Sequence, residues 1–344
     1  MKWVAVVLLM MVIGGGKGIE FPEETTLAKS PIISIKKQSV VFITGLDEGD
    51  NSYYAQAQAY FKAQGFPVVD HLFSLEALVQ WLNQEGDKGT EFEEVHIVSH
   101  GNPWLGMSLK TTEHGDRVSL KSLSANTINA EIGEVSTGIC PDTRIVFHSC
   151  GLAENRMLLG LLKQVFGGAE IPKVVASPWF AVFGSKYAPY YLAQSYYGFY
   201  PTAQSPGPLA LARQFKAKYP EEDINWFTAL KTRKENGLGV PYSYKFNIPL
   251  HWEFTFDTVS EIPKLVNANE IMDWLLTQET AVETIFTMGI PMEHYRWRTR
   301  ITGNTLFVEG KTTALCVLKP IMDKKDGGEY RLPDMQDQEL YQIL

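Results

Sequence analysis

FEEVHIVSHG, Phe92 to Gly101, and TRIVFHSCG, Thr143 to Gly151, decide the reading of this chain. Each is a run of mostly apolar and β-branched residues that stops at a reactive side chain followed by glycine. Runs of this length and composition predict strands buried on both faces, as inside a parallel sheet. In open α/β sheets, ligands and chemistry gather just beyond the carboxyl ends of the strands. His100 and Cys150 hold that position on two successive predicted strands, 50 residues apart. If those strands are neighbours, an imidazole and a thiol meet at one edge of the sheet.

Working outward, residues 40–46 (VVFITGL) predict a first strand, and Ser52 to Gln64 a helix stopped by Gly65. Pro67 to Phe73 reads as a second strand. Ser74 caps the next helix, with Ala77 in place of a capping-box glutamate and Leu75, Leu78, Val79 and Leu82 as its apolar stripe. After Gly101 a β-hairpin is expected with its tip at His114, Gly115 and Asp116. Thr143 to Cys150 is the fourth strand, Glu154 to Phe166 its helix, and Pro172 to Ser177 a fifth strand. This alternation predicts a parallel sheet flanked by helices over about residues 38–220. Beyond it come a helix at Leu209 to Lys218, an aromatic-rich irregular stretch and a helix at Asn269 to Phe286. A hairpin turning on Gly303 and Asn304 and a strand in ALCVLKPI follow. The last third, 221–344, therefore reads as an α+β region.

The chain has 344 residues, 45% hydrophobic and 20% charged, ordinary values for a folded protein. A net charge of −8 without a basic stripe argues against a nucleic-acid binder. Met1 and Lys2, the apolar run Trp3 to Ile13 and the glycines after it form a signal-peptide pattern over 1–18, followed by an irregular arm over 19–37. The apolar run is too short for a transmembrane anchor. An exported protein (periplasmic, cell-surface or extracellular) is expected. Cys140, Cys150 and Cys316 are too few for a disulfide framework, and their odd number leaves at least one free thiol. A Cys140–Cys316 bridge stays open at this stage.

A thiol attacks a carbonyl well only as thiolate, so it needs a base or an electropositive setting. An imidazole supplies the base and later protonates the leaving group. Gly101 and Gly151 leave room for backbone donors to approach a developing oxyanion. The helix starting after Cys150 adds its positive end. The bland alternative is an inert buried cysteine beside a strand-end histidine.

With these motifs in hand, the stretch from 38 to about 200 resembles the caspase-like (clan CD) cysteine peptidases. It is nearest to the bacterial CHAT-like and gingipain-like members, on HIVSHGNPW and on IVFHSCGLAEN running into a helix. The resemblance implies a caspase-like three-layer α/β/α sandwich with a mostly parallel sheet over 38–220, plus the C-terminal α+β extension. It implies His100 as general base, Cys150 as nucleophile, and the amides of Gly101 and Cys150 as oxyanion hole. It implies a peptide or protein substrate and no cofactor. Family members often carry Asp, Glu or Gln two residues before the cysteine, in the specificity pocket. Here that residue is His148, either a pocket residue or a structural donor, so cleavage after basic residues is not expected. Ser177 and Trp179, with Phe180, are candidates for the pocket wall or for core packing.

Other histidines offer less. His96 and His100 have HxxxH spacing without the glutamate of the helical zinc motif, His71 ends a strand one element early, and His114 sits on a hairpin tip. No metal site is expected. Two competing functions stay in view: a catalytically inactive relative acting as a binding or scaffold module, and an α/β-hydrolase. The hydrolase requires a G-x-S-x-G elbow, and the chain has none.

Overall fold

A computed structural model describes residues 36–45, 52–123, 131–167, 170–324 and 328–344. The signal-peptide reading at 1–18 and all but the end of the arm expected over 19–37 lie outside these residues. Strand β1 (Lys36–Ile43) leads into helix α1 (Ser52–Ala63) and the short strand β2 (Val68–Val69). Helix α2 (Leu75–Asp87) starts where Ser74 Oγ accepts the Ala77 amide at 3.2 Å, and ends at strand β3 (Thr90–Val98). A tight hairpin, β4 (Gly101–Asn102) and β5 (Gly106–Met107), precedes β6 (Arg144–His148), α3 (Arg156–Phe166) and β7 (Lys173–Ala176).

The sheet built from these strands runs β2-β1-β3-β6-β7, all parallel. Strand β13 (Gln342–Ile343) adds to β7 in the antiparallel sense. Alternate residues feed two separate cores. Val40, Phe42, Val95, Ile97, Ile145 and Phe147 pack under α2 and α3. Val41, Ile43, Val98, Val146 and Val175 pack on the other face with α1, Ala181, Phe183 and Tyr341. A parallel sheet needs such cover on both faces, which is why its strands read as continuous apolar runs. The described fold is thus mixed α/β, with a partly parallel sheet.

The remaining elements are β8 (Phe180–Phe183), β9 (Tyr190–Pro201), α4 (Pro208–Lys218), α5 (Trp226–Lys231) and β10 (Tyr242–Thr255). Then come α6 (Ala268–Leu275), α7 (Glu279–Met288), β11 (Arg296–Thr302) and β12 (Thr305–Pro320). They form a second, antiparallel sheet in the order β10-β12-β9-β8, with β11 also paired to β12. This sheet draws strands from both sides of residue 220, so the change of sequence character there is no seam in the sheet.

Several expectations need correction. The strand expected over 67–73 shrinks to Val68–Val69, because it lies at the sheet edge and meets only Val41 and Phe42. The aromatic-rich stretch read as irregular holds the 14-residue strand β10. Its Pro249 is tolerated because β10 is an edge strand. The 12-residue strand β9 was not expected either, since its tyrosines fill both faces and mask any alternation. The helix expected over 269–286 is two helices, broken where the Thr277 hydroxyl donates to the Trp274 carbonyl at 2.7 Å. The runs at 305–310 and 314–321 are one 16-residue strand. The hairpin beyond Gly101 divides into β4–β5 and a Lys110–Arg117 bridge closed by a turn at 112–115. Gly303 and Asn304 do make the two-residue turn, with Thr302 opposite Thr305.

The core makes a direct prediction. Phe147 is fully buried and meets Phe166 edge-on, whereas Phe73 is 44% exposed. Urea denaturation should show Phe147→Ala costing about 3–5 kcal/mol, and Phe73→Ala less than about 1 kcal/mol.

Candidate active site

Strands β3 and β6 are parallel neighbours, with Val98 opposite His148. His100 and Cys150 each lie two residues beyond that matched pair, at the same carboxyl edge. The two strand-end turns interlock through their glycines. A Cβ on Gly101 would sit 2.1 Å from Ser149 Oγ, and one on Gly151 would sit 2.8 Å from Pro103 Cγ. Gly151 also holds φ +67°, which only glycine adopts without strain. Each motif therefore ends in glycine because the other motif's turn packs against it.

The first turn of α1 encloses His100. The Tyr53 ring stacks on the imidazole at 4.5 Å between centroids and 29° between planes, and Tyr54 meets it edge-on at 4.7 Å. The His100 amide donates to the Tyr54 hydroxyl at 3.0 Å, and its carbonyl accepts the Ser108 amide at 2.7 Å. The bond from the Ser108 amide to the His100 carbonyl flanks the next pair, Gly101 and Met107, whose N–H groups therefore turn away from one another. Met107 accordingly donates to the Val118 carbonyl. The Gly101 amide faces outward from β5.

Cys150 is 8% exposed, in an apolar cluster with Phe180, Tyr197 and Cys316. Burial pushes its thiol up to about 12, opposed by the Ala181 backbone and its own amide. The Sγ donates to the Ala181 carbonyl at 3.8 Å. On β8, Gly184 pairs with Pro189, so Ala181 and Phe183 fall out of phase and turn their backbone groups away from β9. The outer edge of β8 thus faces the thiol. All three cysteines are free, so no Cys140–Cys316 bridge forms. Cys140 instead accepts the Thr143 hydroxyl at 3.5 Å.

His148 lies at the middle of a buried polar chain. Its Nε2 meets His96 Nδ1 at 3.0 Å, and its Nδ1 meets the Tyr190 hydroxyl at 3.3 Å. The chain continues to the Tyr341 hydroxyl at 3.0 Å on one side. On the other, His96 Nε2 meets Glu94 at 3.2 Å, and Glu94 accepts from Arg144 Nε at 2.9 Å. Burial, and then His96, hold His148 well below its ordinary value. The His96 hydrogen bond and Arg144 pull Glu94 down to about 2 against the opposing effect of burial.

Ser177 and Trp179 engage the carboxyl-terminal segment. Ser177 Oγ donates to the Leu340 carbonyl at 2.8 Å, and the Trp179 indole to the Glu339 carbonyl at 3.0 Å. Their own carbonyls accept the amides of Ala153 and Gly151 at 3.3 Å, fastening the turn that carries Cys150. Sequence reasoning missed Tyr53, Tyr54, Ala181 and Tyr341. A signal existed only for the first two, which open the helix after the strand that pairs with β3.

No family model and no curated protein matches the chain, so its functional reading rests on this geometry.

The polar chain predicts an acid-sensitive fold. His148 is held below its ordinary 6.5, and Glu94 at about 2 against 4.5, so the unfolded chain takes up protons the folded chain refuses. Stability is then complete above about pH 6.5 and falls as pH drops, first through His148 and below about pH 4.5 through Glu94. One such proton gives a slope of up to about 1.4 kcal/mol per pH unit. Urea midpoints at about pH 7 and about pH 5.5 should converge in His148→Gln relative to wild type. Equal slopes in the two proteins would remove His148 from this role.

Proposed function

We propose that this chain is an exported cysteine endopeptidase of caspase-like type, working through Cys150 and His100. The observation that carries the reading is the interlock of the two glycine turns, which sets a thiol and an imidazole beyond adjacent parallel strands. The order and sense of the sheet, with α2 and α3 on one face and α1 on the other, support the three-layer sandwich that the resemblance implies. Export rests on the signal-peptide pattern alone. Among the described residues no helix is long and apolar enough to cross a membrane.

In this mechanism an extended peptide adds along the outer edge of β8 and takes over the Ala181 backbone groups. The Cys150 thiol, released from that carbonyl, passes its proton to His100, and the sulfur attacks the scissile carbonyl carbon. The oxyanion is met by the Gly101 and Cys150 amides. The imidazolium then protonates the leaving amine as the C–N bond breaks, leaving a thioester on Cys150. Water, deprotonated by His100, hydrolyses the thioester and restores the thiol. His148 and Trp179 act behind the site in this account, as supports.

One observation favours a second reading, a non-catalytic binding module of the same fold. The resting thiol is buried, raised to about 12 and bonded to Ala181. A mixed-sequence peptide library followed by mass spectrometry separates the two. The peptidase reading expects cleavage at neutral pH that falls about 10³-fold or more in Cys150→Ala and about 10²-fold or more in His100→Ala. Undiminished cleavage in either variant, or none in the wild type, refutes it.

A further inference from the structure

We propose that Tyr53 is the positioning residue for His100, its ring fixing the plane of the imidazole that serves Cys150. The inference rests on the peptidase reading and extends it to a residue outside both motifs. Tyr53 touches three elements of the candidate site at once. Its ring lies against His100 beyond β3 at 4.5 Å and against Phe183 on β8 at 5.5 Å. Its hydroxyl donates to the His148 carbonyl at the end of β6 at 2.8 Å. That same carbonyl accepts the Ser99 amide at 3.3 Å, next to His100 in the chain. Tyr54 closes the arrangement, edge-on to Tyr53 at 5.6 Å and to His100 at 4.7 Å.

The physical argument concerns two degrees of freedom. A histidine beyond its strand keeps rotation about both side-chain bonds, and a general base works only when a ring nitrogen points at the proton it takes. The hairpin fixes the His100 backbone through the Ser108 and Tyr54 bonds. The Tyr53 face, nearly parallel to the imidazole, restricts the ring plane. The hydroxyl bond to His148 in turn restricts the Tyr53 ring, so the tilt of the base is referred back to the strand that delivers the nucleophile. The stacked face also favours the cation that forms when His100 takes the thiol proton. Burial raises the phenol well above its ordinary value, so the Tyr53 hydroxyl keeps the proton it donates to the His148 carbonyl.

Ring and hydroxyl make separable contributions, which gives the test. Tyr53→Phe keeps the stacked face and loses the bond to His148, whereas Tyr53→Leu loses both. Each is made in the full chain, alone and together with His100→Ala. Two quantities are measured: labelling of Cys150 by a pool of peptidyl acyloxymethyl ketones, and kcat and KM for a cleaved peptide. Tyr53→Phe should stay within about 3-fold of wild type. Tyr53→Leu should lower kcat and the labelling rate about 10-fold with KM changed less than about 2-fold, the loss of roughly one stacking interaction. In the His100→Ala background, Tyr53→Leu should change nothing further, because the residue it positions is gone. A Tyr53→Leu protein as fast as wild type overturns the proposal, and so does an equal slowing with and without His100, which marks a general structural effect. Loss of folding in Tyr53→Leu, read as lost cooperative melting, moves the decision to Tyr53→Phe: a fall of 10-fold or more there overturns the role of the ring. If wild-type Cys150 takes no label at all, the peptidase reading itself fails, a result distinguishable from every outcome above.

Discussion

Everything at the candidate site depends on the contact between two glycine turns. Gly101 approaches Ser149 and Gly151 approaches Pro103 more closely than any side chain would allow. Two strands of a parallel sheet would normally diverge beyond their last hydrogen bond. Here the Ser99 amide still donates to the His148 carbonyl, and the turns beyond it pack on one another. This constraint ties the imidazole-bearing and thiol-bearing segments into one rigid edge. It also explains the shared pattern of the two motifs without reference to any relative: a reactive residue, then the only residue small enough for the contact.

Around that edge the protein spends its polar groups on support. His148, Tyr190 and Tyr341 link the sheet to the last strand, while Ser177 and Trp179 link the same segment to the turn after Cys150. The thiol itself is kept protonated by burial and held against a strand edge whose backbone groups face it. Burial also slows oxidation of a free thiol. Under the proposed peptidase reading, that burial is what the cycle must relieve, and a peptide strand added along β8 is the proposed means.

How much of this was legible in the sequence follows from the range of the signals. The strands that lead to His100 and Cys150, and the helices read at 52–64 and 154–166 and found at 52–63 and 156–166, show themselves by composition and period within a dozen residues. Their adjacency did not show: the sequence left it conditional, and the parallel pairing of β3 with β6 supplies it. The supports did not show, because each joins distant residues: Tyr53 to His148 across 95 positions and Ser177 to Leu340 across 163. Ser177 and Trp179 read from sequence as pocket wall or core packing, and the segment that occupies their polar atoms is invisible from local pattern. The tyrosine-rich strand β9 escaped for another reason, since tyrosine serves buried and exposed faces equally and leaves no alternation.

The most direct measurement is to treat the protein at neutral pH with a peptidyl acyloxymethyl ketone pool and map the modified cysteines by mass spectrometry, in wild type and in His100→Ala. The account predicts a label on Cys150, with Cys140 and Cys316 untouched, and a labelling rate lower by about 10²-fold or more when His100 is removed. A label on Cys150 that survives in His100→Ala at the wild-type rate, or a label that prefers Cys140, would contradict it.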